Sequence, residues 1–167
     1  KEHIDGQRHF ERQQTGVAVP GWSIVTLDES HIDGIIAIEK TSFQQPWQRI
    51  SFLDELSCRD ALDVVVLDPL GGQIFAYAFL RMTLDEIHLL KIAVAPRWRR
   101  RGIATWLLGF CFGLAQRRNA RKVYLEVRRS NVSAIDLYDK VGFQIIGTRP
   151  KYYTDTGEDA LIMMKAF

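Results

Sequence analysis

Residues 89–108, LLKIAVAPRWRRRGIATWLL, run an apolar stretch into a proline, four arginines crowded between Arg97 and Arg101, a glycine and a second apolar stretch. The first half has strand character and the second has helical spacing, so the segment reads as strand, turn, helix. A helix that starts there presents free main-chain N–H groups and a partial positive charge. A glycine lets a ligand approach the backbone, and arginine adds bidentate contacts to phosphate oxygens. These properties suit a pyrophosphate. A solvated basic turn fits the same residues. So does a nucleic-acid contact, with Trp98 available to stack and QRRNARK (residues 116–122) as a second basic cluster. That second cluster falls at the far end of the helix, where cations also complement the dipole.

The strand before the turn carries a parity change. Ile87 and Leu89 are odd-numbered, whereas the apolar alternation resumes at Ile92 and Val94. Side chains alternate strictly along a strand, so the change requires an inserted residue, a β-bulge near Leu90–Lys91. A strand buried on both faces is the alternative. A bulge would turn a main-chain N–H out of the ladder and splay this strand from a neighbour.

Outward from this segment, antiparallel elements precede and a strand–helix–strand pattern follows. Strands are expected over residues 22–27, 61–68, 73–82 and 86–94, with a hairpin turn at Pro69-Leu70-Gly71-Gly72. A helix capped within residues 28–30 carries the stripe Ile32, Ile35, Ile36 and Ile38 to about Lys40. The loop TSFQQPWQ leads to a short helix over residues 50–57. Helices over 102–118 and 132–141 alternate with strands over 122–127, 142–148 and 159–165. This is an α/β (α+β) pattern, a mixed sheet with helices on its faces.

The bulk properties exclude several classes. The 167 residues are 47% hydrophobic and 25% charged with a net charge of +2, a globular composition without polycation character. Residues 1–20 are polar and aperiodic and read as an extension to one domain over residues 21–167. Cys58 and Cys111 form no CxxC pair and read as reduced thiols of a cytoplasmic protein. Cys111, among Phe110, Phe112 and Leu114, reads as a small core hydrophobe. The histidines at 3, 9, 31 and 88 lack metal-ligand spacing, so no metal is expected. No apolar run approaches the ~18 residues needed to span a bilayer, and residues 1–20 contain no signal-peptide core.

A second constellation, YLEVRRSNVSAIDLYDKVGF (residues 124–143), sets Glu126 at a strand end and Tyr138 on the next helix, with KYYTDTGEDALIM (residues 151–163) beyond. Together with the arginine turn, these residues resemble the GNAT superfamily of acetyl-CoA-dependent N-acetyltransferases. Within it they are most similar to the ribosomal-protein alanine and other protein N-terminal acetyltransferases. The likeness covers residues 22–164. It implies a mostly antiparallel sheet of six to seven strands, with a splayed central parallel pair and about four flanking helices. It also implies acetyl-CoA as the acetyl donor, its pyrophosphate held by the turn Arg99, Arg100, Arg101, Gly102, Ile103 and Ala104, and its pantetheine arm beside Ile92, Ala93 and Val94. Ala104 stands where the family often has glycine, and Ala95 where an aspartate often precedes the proline.

The resemblance further points to Glu126 as general base through water and to Tyr138 as the acid that protonates coenzyme A. Asn131 is a further cofactor contact. An acceptor groove is implied between SFQQPW, with Phe43 and Trp47, and the segment bearing Tyr152, Tyr153, Glu158 and Asp159. Read without the family, Glu126 is equally an ion-paired surface residue, Tyr138 a core residue and Asn131 a helix N-cap.

Acid–base chemistry favours a terminal amine. An α-amino group of pKa about 7.7–8.0 costs about 1–1.4 kcal/mol to neutralise at pH 7, and a lysine near 10.4 about 4.6 kcal/mol. A lone glutamate is a weak base for the larger task unless its pKa is raised. The expected acceptor is therefore a protein or peptide N-terminus. A small amine such as a polyamine or aminoglycoside, and a non-catalytic nucleic-acid or ribosome-binding role, are the alternatives.

Overall fold

The computed structural model describes residues 21–167. The extension read at residues 1–20 lies outside the described residues. Seven strands form one sheet in the order β1-β2-β3-β4-β5-β7-β6. They are β1 (Ser23–Thr26), β2 (Val64–Leu67), β3 (Ile74–Thr83), β4 (Glu86–Val94), β5 (Lys122–Arg128), β6 (Gln144–Tyr153) and β7 (Glu158–Ala166). Four helices, α1 (Ile32–Ser42), α2 (Arg49–Leu56), α3 (Ile103–Arg117) and α4 (Val132–Lys140), cover it. Every pairing is antiparallel except β4 with β5.

Each face of the sheet carries its own core. Ile87, Leu89, Leu107, Cys111, Val123, Leu125 and Tyr138 pack together beneath α3 and α4. Ile32, Ile35, Phe52, Tyr77, Phe79 and Ala93 pack beneath α1 and α2. β3 is buried on both faces, which explains its near-continuous apolar sequence. Burial pushes the Cys111 thiol up to about 12, in keeping with a structural cysteine.

The bulge forms where the parity change demands it. Phe79 pairs with Lys91 and Leu80 with Leu89, so Leu90 is the extra residue. Ile87 and Leu89 then share the α3 face with Val94, while Lys91 and Ala93 turn to the α1 face. β4 and β5 pair only at Glu86–Lys122, Ile87–Val123 and His88–Tyr124. Beyond His88 the two strands diverge, and the divergence opens the sheet.

Three segments depart from the expectation. The first helix opens with a 3-10 turn (Glu29–His31) capped by the Asp28 carboxylate, and α1 begins only at Ile32. The strand expected over residues 61–68 shortens to β2, with Ala61 contributing an isolated bridge to Arg81. β6 runs five residues past the expected end. The strand continues through Pro150 because β6 is an edge strand, where a missing N–H breaks no ladder.

Candidate active site

The divergence of β4 and β5 opens a cleft of about 1280 Å³ that reaches both faces of the sheet. Its cofactor-side mouth is the arginine turn. After the one-turn 3-10 helix Pro96–Trp98, Arg100 and Gly102 adopt left-handed backbone, with φ of 62° and 76°. Alternation between ordinary and left-handed residues gathers successive N–H groups into an anion-binding concavity. α3 follows at once. Its N-cap Gly102 offers no side-chain hydrogen bond, and the first intrahelical N–H to find a partner there is that of Trp106. The N–H groups of the first turn are therefore available to an anion, and the residues present fit a pyrophosphate.

The arginines divide into separate tasks. Arg99 lines the cleft, but its side chain braces the turn, donating from Nε to the Val94 carbonyl (2.8 Å) and from a terminal nitrogen to Ser42 Oγ (3.0 Å). Arg100 also lines the cleft. Arg101 does not: its guanidinium sits over the Trp98 ring, 5.2 Å from the centroid. Ile92, Ala93, Val94, Gly102, Ile103 and Ala104 all line the cleft. Asn131 lines it and also caps α4, its side-chain oxygen accepting from the Ala134 N–H (3.2 Å).

Glu126 and Tyr138 both line the cleft, from opposite faces. Tyr138 belongs to the core beneath α3 and α4, and burial holds its phenol well above the ordinary range, so it is a neutral donor at any physiological pH. On β5, Val123, Leu125 and Val127 face that same core, so Tyr124, Glu126 and Arg128 face the other side. There the nearly buried Glu126 carboxylate meets His88 Nε2 at 2.5 Å and lies 3.3 Å from Arg149. The His88 contact, then the Arg149 charge, hold the carboxyl below the usual range against the opposing effect of burial. His88, with a side chain 30% exposed, stacks on Tyr124 at 5.1 Å.

His88 is the residue that sequence reasoning passed over. It was judged by metal-ligand spacing, but its partner is a carboxylate 38 residues away. The parallel pairing of β4 with β5 is what brings the two side chains together.

On the acceptor side, Phe43 and Trp47 line the cleft from the α1–α2 loop, and Tyr152 and Tyr153 from β6. Arg128 fastens the β6–β7 hairpin: it pairs with Asp155 at 2.7 Å, donates to Thr156 Oγ1 at 3.1 Å and lies over the Tyr153 ring at 3.9 Å. The hairpin is thus a braced wall. The two acids of the implied groove, Glu158 and Asp159, are engaged with main-chain and arginine donors. Glu158 accepts from the Ser130 N–H and pairs with Arg128. Asp159 accepts from the Lys151 N–H and does not line the cleft. Glu39 and Lys91 were not anticipated either. They form a buried ion pair at 2.8 Å beside Phe43 and Trp47. No group of three or more metal-ligating side chains occurs among the described residues.

Residues 32–143 match the acetyltransferase (GNAT) family. The chain belongs to that family. The GNAT reaction moves an acetyl group from acetyl-CoA to an amine, so the chain is an acetyl-CoA-dependent N-acetyltransferase. It is similar to the ribosomal protein bS18-alanine N-acetyltransferase of Escherichia coli (strain K12), with 33% identity over 143 residues, 84% of this chain and 95% of that one. A Bacillus subtilis (strain 168) protein provisionally named for the same activity is 37% identical over 132 residues, covering 79% and 87%. The crystal structure of the ribosomal-protein-S18-alanine N-acetyltransferase from Escherichia coli superposes with a TM-score of 0.79 at 31% identity, over 87% of this chain and 93% of that one. The mixed sheet with one parallel pair is the GNAT fold expected from the motifs.

Proposed function

We propose that this GNAT enzyme acetylates the N-terminal α-amino group of a protein, and that an alanine terminus of the ribosomal protein bS18 type is its first candidate substrate. The observation that carries the reading is the placement of two proton-handling groups on opposite faces of one opening. The Glu126–His88 pair lies on the α1 face and the Tyr138 phenol on the α3 face.

The arrangement suits direct transfer. The acceptor amine enters from the α1 side and attacks the thioester carbonyl carbon, and the C–N bond forms as the carbonyl oxygen gains charge. Main-chain N–H groups of the bulged strand around residues 90–94, without β5 partners beyond His88, are placed to stabilise that oxyanion. The amine proton passes to the His88 imidazole, which the acceptor reaches from the cleft. The ionised Glu126 orients the ring and stabilises its cationic form, as a carboxylate does for histidine in hydrolase triads. Collapse breaks the C–S bond, and Tyr138 protonates the departing thiolate on the cofactor side. Because Glu126 is held below its usual range, it is not by itself a base strong enough to free a lysine ammonium. This favours the more acidic α-amino group. Such a substrate supports a cytoplasmic enzyme. No helix among the described residues is long and apolar enough to cross a membrane.

Thiol release from acetyl-CoA, followed across a panel of acceptors, tests the reading. The panel holds peptides with free Ala, Ser or Met termini, their N-blocked forms bearing an internal lysine, and polyamines and aminoglycosides. Turnover confined to free termini, highest for the bS18-type alanine peptide, is expected. Turnover confined to the small amines overturns the substrate assignment and leaves the family and donor intact.

A further inference from the structure

We propose that the buried Glu39–Lys91 ion pair is a positioning device for the acceptor, fastening the α1–α2 loop to the bulged catalytic strand. The proposal rests on the reading that Phe43 and Trp47 meet the acceptor. It concerns the side chains of Glu39 and Lys91, which take no part in the proton relay.

A buried ion pair is poor evidence of stabilisation, because desolvating two charges offsets most of their attraction, and well-packed apolar residues do as well or better. What it supplies is a defined geometry, and here the geometry joins four parts of the molecule. Glu39 is fully buried near the C-terminal end of α1. Its carboxylate takes Lys91 Nζ at 3.0 and 2.8 Å through its two oxygens, the Tyr77 hydroxyl of β3 at 2.5 Å and the main-chain N–H of Trp47 at 2.9 Å. The Lys91 ammonium lies 3.8 Å from the centre of the Phe43 ring and 4.9 Å from that of Trp47, within reach of cation–π attraction to both. Two aromatic rings of the loop and its main chain therefore converge on one pair of charges.

The bulge makes this possible. Lys91 follows the extra residue Leu90, and without that insertion its side chain would turn to the α3 face, away from Glu39. One local irregularity thus frees main-chain N–H groups toward the opening and sends a cation across to hold the loop opposite. The pair also lines the cleft through Lys91, so the loop is held at the wall that the acceptor must touch.

The test uses the full chain. Truncating one partner strands a buried charge, so the principal variant removes both charges and keeps the volume: Glu39→Gln with Lys91→Met. Its peptide KM is expected to rise at least tenfold, with kcat reduced less than threefold and the Kd for acetyl-CoA within twofold of the parent. Amide hydrogen exchange over residues 43–48 should accelerate at least tenfold, a readout that needs no acceptor. Tyr77→Phe removes one bond on the far side of Glu39 and should lower thermal stability without changing KM or loop exchange. If the double variant does not fold, Glu39→Gln alone, which is isosteric, should move KM and exchange in the same direction. Parental KM and parental exchange in a folded variant overturn the proposal. A parent enzyme that acetylates no peptide, while exchange in the variant still accelerates, overturns the acceptor reading and leaves the fastening role standing.

Discussion

At the scale of single residues, two carboxylates, Glu39 buried behind the cleft wall and Glu126 lining it, do different work. Glu39 is spent on holding a loop, whereas Glu126 is held below its usual range and remains charged. A depressed carboxyl adds stability above the unfolded value of about 4.3, and that contribution is lost as pH falls through the folded value. At neutral pH Glu126 is therefore a permanent anion beside His88. If the two act as one relay, Glu126→Gln and His88→Asn should each lower kcat/KM by about 10²-fold or more. The double variant should fall little further than either single one, because residues acting as a unit are not additive. Steady-state kinetics of the three variants decides it. Tyr138→Phe keeps the packed ring and removes the donor, so kcat should drop about 10²-fold with thermal stability nearly unchanged. Glu126 and Tyr138 were legible through the resemblance of residues 124–143 to the GNAT family. His88 was not, because only strand pairing reveals its partner.

Among the elements, the arginine turn and the bulge were readable for the same reason: each is written in a few consecutive residues. Gly102 sits at φ of 76°, and a Cβ added there meets nothing within 4 Å. Gly102→Ala is therefore expected to cost about 1 kcal/mol through backbone strain alone. It should also weaken acetyl-CoA binding severalfold as the N–H concavity distorts. Gly72→Ala in the β2–β3 hairpin is the matched control: φ is 63° and the space is equally open. It should cost similar stability and leave the acetyl-CoA Kd unchanged, as calorimetric titration of both variants would show. β6 runs past its expected end through Pro150, a residue that is disruptive in a central strand and harmless at an edge. Sheet order settles which applies, and sheet order is not a local property.

Across the whole molecule, one strained polar site lies away from the cleft. Asp63, buried at the start of β2, accepts from the Leu80 N–H through Oδ1, while Oδ2 and Glu55 Oε2 are buried without a donor. Burial first, then the Glu55 charge, push the Asp63 carboxyl up to about 7. A carboxyl raised in the folded state binds its proton more tightly there than in the unfolded chain. Its stabilising effect is present at low pH and is lost as pH rises from about 4 to about 7, at roughly 1.4 kcal/mol per unit. Asp63→Asn keeps the acceptor for Leu80 and supplies a donor toward Glu55. It should match the parent near pH 4 and be clearly more stable at pH 8, as urea unfolding at the two values would reveal.

Taken alone, the sequence determined the mixed α/β class, the strand, turn and helix around the arginines and the parity change that becomes the bulge, each written within some twenty residues, where chain geometry constrains the outcome. Glu126, Tyr138 and the pyrophosphate role of the turn came from the resemblance to the GNAT family. Tertiary structure decided the rest. It bound Asp159 and Glu158 into the hairpin brace, moved Arg101 onto Trp98, and placed His88 against Glu126 and Lys91 against Glu39. A charged side chain takes the nearest partner that lowers the cost of its burial, and that partner is chosen by which strands and helices meet.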